Sequence, residues 1–218
     1  MALGPPTLPA VYRFGPDLRA TLSANLTSFP RRPYGGADPG LRPAAVAVCI
    51  VAGEGETAGF LLTRRAARLR SHAGQWALPG GRCDPGETPA AAALRELWEE
   101  VGLALTDAEV LGLLDDYPTR SGYVITPVVL WCDAVGSLTP NAGEVEAIYR
   151  VPLADLDHPE APRLLTIPES DAPVVQMWAA GSWIHAPTAA VLLQLREVGL
   201  RGADTRVSHL EQPVWAWR

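Results

Sequence analysis

The segment from residue 81 to residue 103 constrains the fold of this chain more than any other. Thr88 and Pro89 suit the start of a helix, because a threonine side chain caps free backbone amides and proline fits the first turn. Gly102 suits its end, since glycine readily adopts the left-handed conformation that follows many helices. The sequence therefore predicts a helix that begins after Thr88 and ends at Val101, with a glycine-containing loop before it.

This helix collects three carboxylates on one face. Glu96 and Glu100 are four residues apart and Glu99 adjoins them, so the three side chains are neighbours on the helix surface. Like charges at these spacings repel, and the helix gains little from them unless a cation neutralises them. Hard divalent cations take such oxygen ligands, often together with substrate phosphates. These three residues alone still leave open a solvated acidic helix face.

Residues around the carboxylates complete the predicted site. Arg95 lies four residues before Glu99 and can hold that carboxylate by a charge-assisted hydrogen bond. Glu87 precedes the helix, where a negative charge interacts favourably with the helix dipole. Gly81 and Gly86 let the backbone turn sharply and approach a metal or a phosphate closely.

The whole segment matches the pattern G-x5-E-x7-R-E-U-x-E-E-x-G-U, with U aliphatic, at every fixed position. It resembles the Nudix box. The resemblance implies an α/β fold, the Nudix-type α/β/α sandwich with a central mixed sheet, and hydrolysis of a nucleoside diphosphate linked to another moiety. It also implies an Mg²⁺ or Mn²⁺ site. The implied ligands are Glu96, Glu99, Glu100 and the carbonyl of Gly81, with Arg95 and Glu87 orienting the cluster.

The general base is open at this stage. Glu144 lies in a loop between two predicted strands and is the first candidate, while a glutamate of the box is the competitor. An exposed loop glutamate without a catalytic role is an equally weighted alternative for Glu144.

The stretch before the box carries a more specific resemblance. It is similar to the signature L-L-T-x-R-[SA]-x3-R-x3-G-x3-F-P-G-G of the coenzyme A diphosphatase branch of the family. The matching residues are Leu61, Leu62, Thr63, Arg65, Ala66, Arg70, Gly74, Pro79, Gly80 and Gly81, while Leu78 replaces phenylalanine. Guanidinium groups suit phosphates, so Arg65 and Arg70, with His72 and Gln75 as neutral donors, are predicted to bind substrate. The implied substrates are coenzyme A or its acyl derivatives, and the implied products are 4'-phosphopantetheine and adenosine 3',5'-bisphosphate.

A later segment departs from this branch. Members of the branch usually have the motif I-W-G-x-T-A in this segment, whereas this chain has His185 in place of the tryptophan. His185 is either a polar contact in the substrate pocket or a half-buried structural histidine. The departure keeps open a Nudix diphosphatase for ADP-ribose, a dinucleotide or a damaged nucleotide. A non-catalytic nucleotide-sensing domain is disfavoured, because every carboxylate of the box is present.

Charge and cysteine content narrow the partners and the compartment. The net charge is -6 and no basic tract is present, which argues against nucleic acid as a partner. Three cysteines in no paired spacing suit a reducing compartment. The first residues do not resemble a signal peptide and no apolar run reaches the length of a membrane span, so we expect a cytoplasmic protein with a nucleotide substrate.

Three regions are predicted along the chain. Residues 1–40 form an N-terminal arm with a short helix at Leu18, Leu22 and Leu26. Residues 41–200 form the Nudix hydrolase domain, and residues 201–218 form a tail that packs on it or makes a homodimer contact. The elements predicted inside the domain, besides the box helix, are strands at Ala44–Ala52, Gly59–Thr63, Val110–Leu114 and Tyr123–Cys132 and a helix at Thr188–Val198.

Overall fold

Strand β1 (Arg42–Ala52) lies in the middle of the main sheet. The computed structural model describes residues 11–35, 40–68 and 74–217. β1 pairs in parallel with β7 (Tyr123–Trp131) and antiparallel with β2 (Ala58–Arg65), so the sheet is mixed. Its other strands are β3 (Trp76–Ala77), β4 (Gly80–Arg82), β5 (Val110–Leu113), β6 (Tyr117–Pro118) and β8 (Val145–Pro152). The order is β3-β2-β1-β7-β5, with β4 on β1, β6 on β7 and β8 on β2.

Both faces of β1 are buried, which explains its nearly continuous apolar sequence. Successive side chains of a strand point to opposite faces. Ala47 and Cys49 therefore enter one hydrophobic core, while Val48 and Ile50 enter the other. Parallel strands covered on both sides typically read in this way.

Helix α2 (Pro89–Val101) covers one face of the sheet and has the predicted boundaries. The hydroxyl of Thr88 accepts a hydrogen bond from the Ala91 amide, and Gly102 has the left-handed conformation with φ 71°. Leu97 is fully buried against the sheet. The prediction from the capping residues is confirmed.

The opposite face is covered by α1 (Pro16–Ser28), α3 (Thr188–Gln194) and a second sheet. That sheet contains β9 (Arg163–Ile167), β10 (Ser170–Ala179) and β11 (Ser182–His185), in the order β11-β10-β9. Helices on both faces of a mixed sheet confirm the predicted α/β/α sandwich.

The last helix differs from its prediction in its final turns. The α-helix ends at Gln194, and residues Leu195–Leu200 continue as a π-helix. Arg196 lies buried in this turn, and its Nη1 donates to the carbonyl oxygens of Leu156 at 2.9 Å and Ala161 at 3.1 Å. These carbonyl groups provide hydrogen-bond acceptors for a buried guanidinium in the wider π-helical turn. Sequence periodicity does not reveal such contacts.

The segment after the last helix runs along the side of the domain. The hydroxyl of Tyr117 donates to the Leu210 carbonyl at 2.8 Å, and a short 3₁₀ helix (Val214–Trp217) follows. The three regional boundaries remain predictions, and residues 1–10 and 218 lie outside the described part of the chain. Among the described helices, none is both long and apolar enough to span a membrane.

Candidate active site

Two glycines of β4 bring the backbone against the carboxylates of α2. β4 pairs with β1 so that Gly81 lies opposite Ala45. A Cβ atom added at Gly81 would lie 2.2 Å from Oε1 of Glu96. The Glu96 carboxylate therefore packs directly on the Gly81 backbone, which brings two of the predicted metal ligands together.

Arg95 connects the remaining acidic residues of the box. Its Nε and Nη2 donate to the two carboxylate oxygens of Glu87, each at 3.0 Å. Its Nη1 donates to Oε1 of Glu96 at 2.9 Å and to Oε2 of Glu99 at 3.2 Å. The hydrogen bond from Arg95 holds the pKa of Glu87 below its ordinary value. Sequence spacing predicts the contact with Glu99, whereas the bidentate contact with Glu87 depends on how the loop folds back.

Glu100 is the buried carboxylate of the site, with 3% of its surface exposed. The Gly80 amide donates to its Oε2 at 3.2 Å, and Nη1 of Arg65 lies 3.9 Å from its Oε1. Burial raises the pKa of Glu100 to about 7, although Arg65 and the Gly80 amide act in the opposite direction. Burial also raises the pKa of Glu96. The protein alone therefore compensates these two negative charges incompletely.

Glu144 lies within electrostatic range of the same carboxylates. Its charge contributes to the raised pKa values of Glu96 and Glu100. The Ala66 amide donates to the Glu144 carbonyl at 2.8 Å, so its loop is attached near the end of β2. The Glu144 side chain is exposed, and its role as a base stays a prediction.

The oxygen donors of the box fit a hard divalent cation. Carboxylates and a backbone carbonyl are the ligands that Mg²⁺ prefers, and the undercompensated charge of Glu100 favours a cation nearby. In the described part of the chain, no three His, Cys, Asp or Glu side chains stand together as a ready metal-binding group. Glu96 and Glu99 turn toward Arg95 and Glu100 turns toward Gly80, so a shared cation requires some of these side chains to rotate.

A cavity of about 700 Å³ opens beside the box. Gly80 and Gly81 form one part of its wall, and Arg65 forms another. Another part of the wall comes from β11 and the residues that follow it, including His185, and from the C-terminal tail, including Trp215. Concave sites of this size and mixed polarity are typical of small-molecule binding.

The cavity contains two of the four predicted substrate-binding residues. Arg65 and Gln75 both line it, and the Arg65 amide donates to the Gln75 carbonyl at 2.9 Å. The Nε of Arg65 is buried without a hydrogen-bond partner. Arg70 and His72 lie outside the described residues.

His185 belongs to the aromatic part of the cavity wall. Its ring stands edge-on to that of Trp215, with 5.3 Å between the ring centroids. Its Nε2 lies 2.6 Å from Nε2 of Gln176, and burial lowers its pKa, which favours the neutral imidazole. His185 is thus half-buried and also lines the cavity, and its contact with a substrate stays a prediction.

Sequence reasoning missed other residues that line the cavity. Arg42, Arg82 and Tyr123 lie at one end, and Gln212 and Trp215 lie on the tail. Tyr123 ends a T-x-S-G-aromatic segment that begins at Thr119, and this segment is a local sequence signal that could mark it. No local pattern marks Gln212, because the tail reaches the cavity only through tertiary packing.

Comparison with known proteins decides the family. The NUDIX domain family model matches residues 41–174, and this span contains the box and the signature before it. The chain belongs to the Nudix family. Divalent metal ions are generally used by Nudix hydrolases.

Several curated Nudix proteins are similar to this chain. It is 35% identical over 150 residues to Nudix hydrolase 3 of Caenorhabditis elegans, covering 66% of this chain and 62% of that protein. It is 44% identical over 115 residues to the uncharacterized Nudix hydrolase NudL of Photorhabdus laumondii, covering 52% of this chain and 60% of that protein. The match to these Nudix relatives therefore spans somewhat less than two thirds of their length.

Solved Nudix structures share the fold. A Nudix hydrolase from M. smegmatis, RenU, superposes with a TM-score of 0.50 at 23% identity, covering 73% of this chain and 86% of that one. A MutT/nudix family protein from Enterococcus faecalis superposes with a TM-score of 0.51 at 16% identity, covering 74% of this chain and 62% of that one.

Proposed function

We propose that this Nudix protein is a metal-dependent hydrolase of coenzyme A or its acyl derivatives. It cleaves the diphosphate linkage and releases 4'-phosphopantetheine and adenosine 3',5'-bisphosphate. The observation that carries the proposal is the cavity beside the box, with Arg65 of the branch signature on its wall and 3.9 Å from Glu100.

The box residues are proposed to hold the metal ion. Glu96, Glu99, Glu100 and the Gly81 carbonyl would bind Mg²⁺ or Mn²⁺, in keeping with their hard oxygen atoms. Such a cation would supply charge to neutralise the diphosphate and would favour hydroxide over water as the nucleophile. Arg95 and Glu87 are proposed as positioning residues, because the Arg95 guanidinium contacts the carboxylates of Glu87, Glu96 and Glu99.

The substrate phosphates are proposed to bind to the Arg65 guanidinium. Its guanidinium sits between Glu100 and the cavity and has an unused Nε donor. A phosphate oxygen can accept from such a fork in a charge-assisted bond. Gln75 is proposed as a neutral donor on the same wall, while Arg70 and His72 are proposed from the sequence signature alone.

Glu144 is proposed as the general base that removes a proton from the attacking water. Its exposed carboxylate has no ion-pair partner among the residues that the structure describes, and it lies in the electrostatic field of Glu96 and Glu100. A glutamate of the box is the competing base. Glu144→Gln should lower kcat by about 100-fold or more with little change in KM if Glu144 is the base.

The second candidate is a Nudix diphosphatase for ADP-ribose, a dinucleotide or a damaged nucleotide. Neutral His185 beside Trp215 is the observation that favours it, because this aromatic wall differs from the branch pattern. A panel of coenzyme A, acetyl-coenzyme A, ADP-ribose, NADH, Ap4A and 8-oxo-dGTP, with products resolved by chromatography, separates the two. Turnover of another compound with coenzyme A left intact would remove the first proposal.

Glu100→Gln tests the metal site directly. The substitution keeps the shape of this buried side chain and removes its charge, so we expect at least a 100-fold loss of Mg²⁺-dependent hydrolysis with an unchanged circular dichroism spectrum. The matched control is Glu169→Gln in an exposed turn, which should keep normal turnover. Normal turnover in Glu100→Gln would contradict the metal assignment.

We further propose a cytoplasmic protein whose partner is a small nucleotide rather than nucleic acid or a membrane. Cys49, Cys83 and Cys132 are all free, which suits a reducing compartment. A homodimer through the tail is a separate proposal, supported by the 51% exposure of Trp215. Light scattering coupled to gel filtration tests it.

A further inference from the structure

Three neighbouring strands bring two arginines and a tyrosine to one end of the cavity. Arg42 begins β1 and is the parallel partner of Tyr123, which begins β7. Arg82 ends β4 opposite Ala44, two residues along β1 from Arg42. All three of these side-chain positions line the cavity that opens beside the Nudix box.

Both guanidinium groups contact the same aromatic ring. The Cζ atom of Arg42 lies 4.3 Å from the centroid of the Tyr123 ring, and that of Arg82 lies 5.5 Å from it. The Nε of Arg82 also donates to the Tyr123 hydroxyl at 2.8 Å. Tyr123 thus contacts two cationic side chains, whose Cζ atoms both lie within 5.5 Å of its ring centroid.

Neither cation has a carboxylate partner among the described residues. Neighbouring arginines differ in this respect: Arg65 lies beside Glu100, and Arg95 is clamped by Glu87. The side chains of Arg42 and Arg82 instead contact neutral groups, namely an aromatic ring and a hydroxyl. Two like charges gathered on one ring repel, and an anion bound beside both of them would remove that repulsion.

Strand geometry separates this site from the metal-binding side of the box. Successive residues of a strand point to opposite faces. The Cβ direction of Gly81 meets the Glu96 carboxylate, so the following residue, Arg82, points to the other face, where Tyr123 lies. An anion at Arg82 is therefore a different group from the diphosphate that would lie beside Glu96.

We propose that Arg42 and Arg82, held by Tyr123, bind a phosphate monoester of the substrate that is separate from its scissile diphosphate. This inference rests on the proposed function, and in coenzyme A the group is the 3'-phosphate. The subsite makes the enzyme select nucleotides that carry a third phosphate, because each guanidinium gives a charge-assisted contact that a 3'-hydroxyl cannot replace.

The experiment compares coenzyme A with 3'-dephospho-coenzyme A as substrates. Arg42→Gln and Arg82→Gln should each lower kcat/KM for coenzyme A by roughly tenfold, the usual effect of losing one charge-assisted contact. For 3'-dephospho-coenzyme A the same variants should stay within about twofold of wild type. The matched control is Arg150→Gln, at an exposed arginine of β8 that does not line the cavity, and it should leave both values unchanged.

Tyr123→Phe distinguishes the contribution of the aromatic ring from that of the hydroxyl group. It keeps the aromatic face under Arg42 and removes the acceptor of Arg82, so its loss should be smaller than that of Arg82→Gln and again confined to coenzyme A. Equal losses for both substrates, or no loss for coenzyme A in the Arg42→Gln, Arg82→Gln double variant, would overturn the subsite. A circular dichroism spectrum of each variant identifies any that fails to fold.

Calorimetry without metal separates this inference from the proposed reaction. Adenosine 3',5'-bisphosphate should bind wild type about tenfold or more tightly than adenosine 5'-monophosphate, and the double variant should lose that difference. If coenzyme A is not hydrolysed but the binding difference is present and needs both arginines, the proposed function fails and the subsite stands. If coenzyme A is hydrolysed and the two nucleotides bind equally, the subsite fails and the function stands.

Discussion

At the scale of single residues, the site depends on a close contact between a backbone and a carboxylate. The sequence predicts Glu96, Glu99 and Glu100 on one helix face, because helical spacing is local. It does not predict that Glu100 is buried and Glu99 is half-exposed, since that depends on where β4 crosses the helix. The three glutamates therefore look equivalent in the sequence, whereas in the structure they differ in environment.

Gly81→Ala tests the backbone contact. The added Cβ would lie 2.2 Å from Oε1 of Glu96, so the carboxylate or the strand must move. We expect a loss of stability of about 1–3 kcal/mol, as in overpacked sites, and a fall in kcat of about 100-fold from misplaced ligands. Activity and chemical denaturation measure the two effects.

The control for that substitution is Gly136→Ala. Apart from Gly136 and its two chain neighbours, no atom lies within 4 Å of a Cβ built there, so stability and activity should remain near wild type. A Gly81→Ala variant that behaves like this control would show that the close packing of Glu96 on the strand is dispensable.

At the scale of elements, local signals predicted some segments well and others poorly. The box helix was predicted because Thr88, Pro89 and Gly102 mark its ends in the sequence itself. The sequence patterns predict none of β9, β10 and β11. In β9, the adjacent exposed Leu164 and Leu165 break the alternation expected for a half-buried strand. The route of the tail was also left open, since buried contacts from distant elements determine it.

The tail is attached by an ion pair with a predictable pH dependence. The Nη2 of Arg120 donates to Oε2 of Glu211 at 2.5 Å, and Ser170 donates to the same oxygen at 3.1 Å. Burial alone would raise the pKa of Glu211, but the hydrogen bonds from Arg120, the Gln212 amide and Ser170 outweigh it and lower the pKa. A carboxylate with a lowered folded-state pKa stabilises the protein above its ordinary pKa, and this contribution is lost as the pH falls through the folded value.

Glu211→Gln should therefore destabilise the protein by about 1 kcal/mol at pH 7, after allowing for solvent screening at the half-exposed Arg120. The difference from wild type should shrink as the pH falls below the ordinary value of 4.5. Urea denaturation of both proteins at pH 7 and pH 4 measures it. A difference that does not change with pH would assign the effect to packing rather than to charge.

At the scale of the whole molecule, the cavity is built from parts of the chain that are far apart in sequence. Arg42 begins the first strand, Tyr123 begins the seventh and Trp215 lies on the tail, yet all three line it. The Nudix family match ends at residue 174, so the wall that contains His185 and Trp215 lies beyond it. For this reason, sequence motifs predict the reaction class better than they predict the shape of the substrate pocket.

Trp215→Ala tests the contribution of the tail to binding. The indole stands edge-on to His185 at the cavity wall, so its removal should raise KM by about tenfold and leave kcat nearly unchanged, since the metal-binding residues are untouched. Val214→Ala is the control, because Val214 is exposed on the same tail and does not line the cavity. An unchanged KM for Trp215→Ala would exclude Trp215 from substrate binding.

Because both ends of the fold contribute to the cavity, a ligand there is linked to the stability of the whole chain rather than to one loop. Binding only to the assembled state adds about 2.7 kcal/mol at a ligand concentration of 100 times Kd. A nucleotide that fills the cavity should therefore protect the tail from proteolysis as strongly as it protects β1. A bound ligand therefore contacts both the first strand of the central sheet and the C-terminal tail, and it stabilises their association.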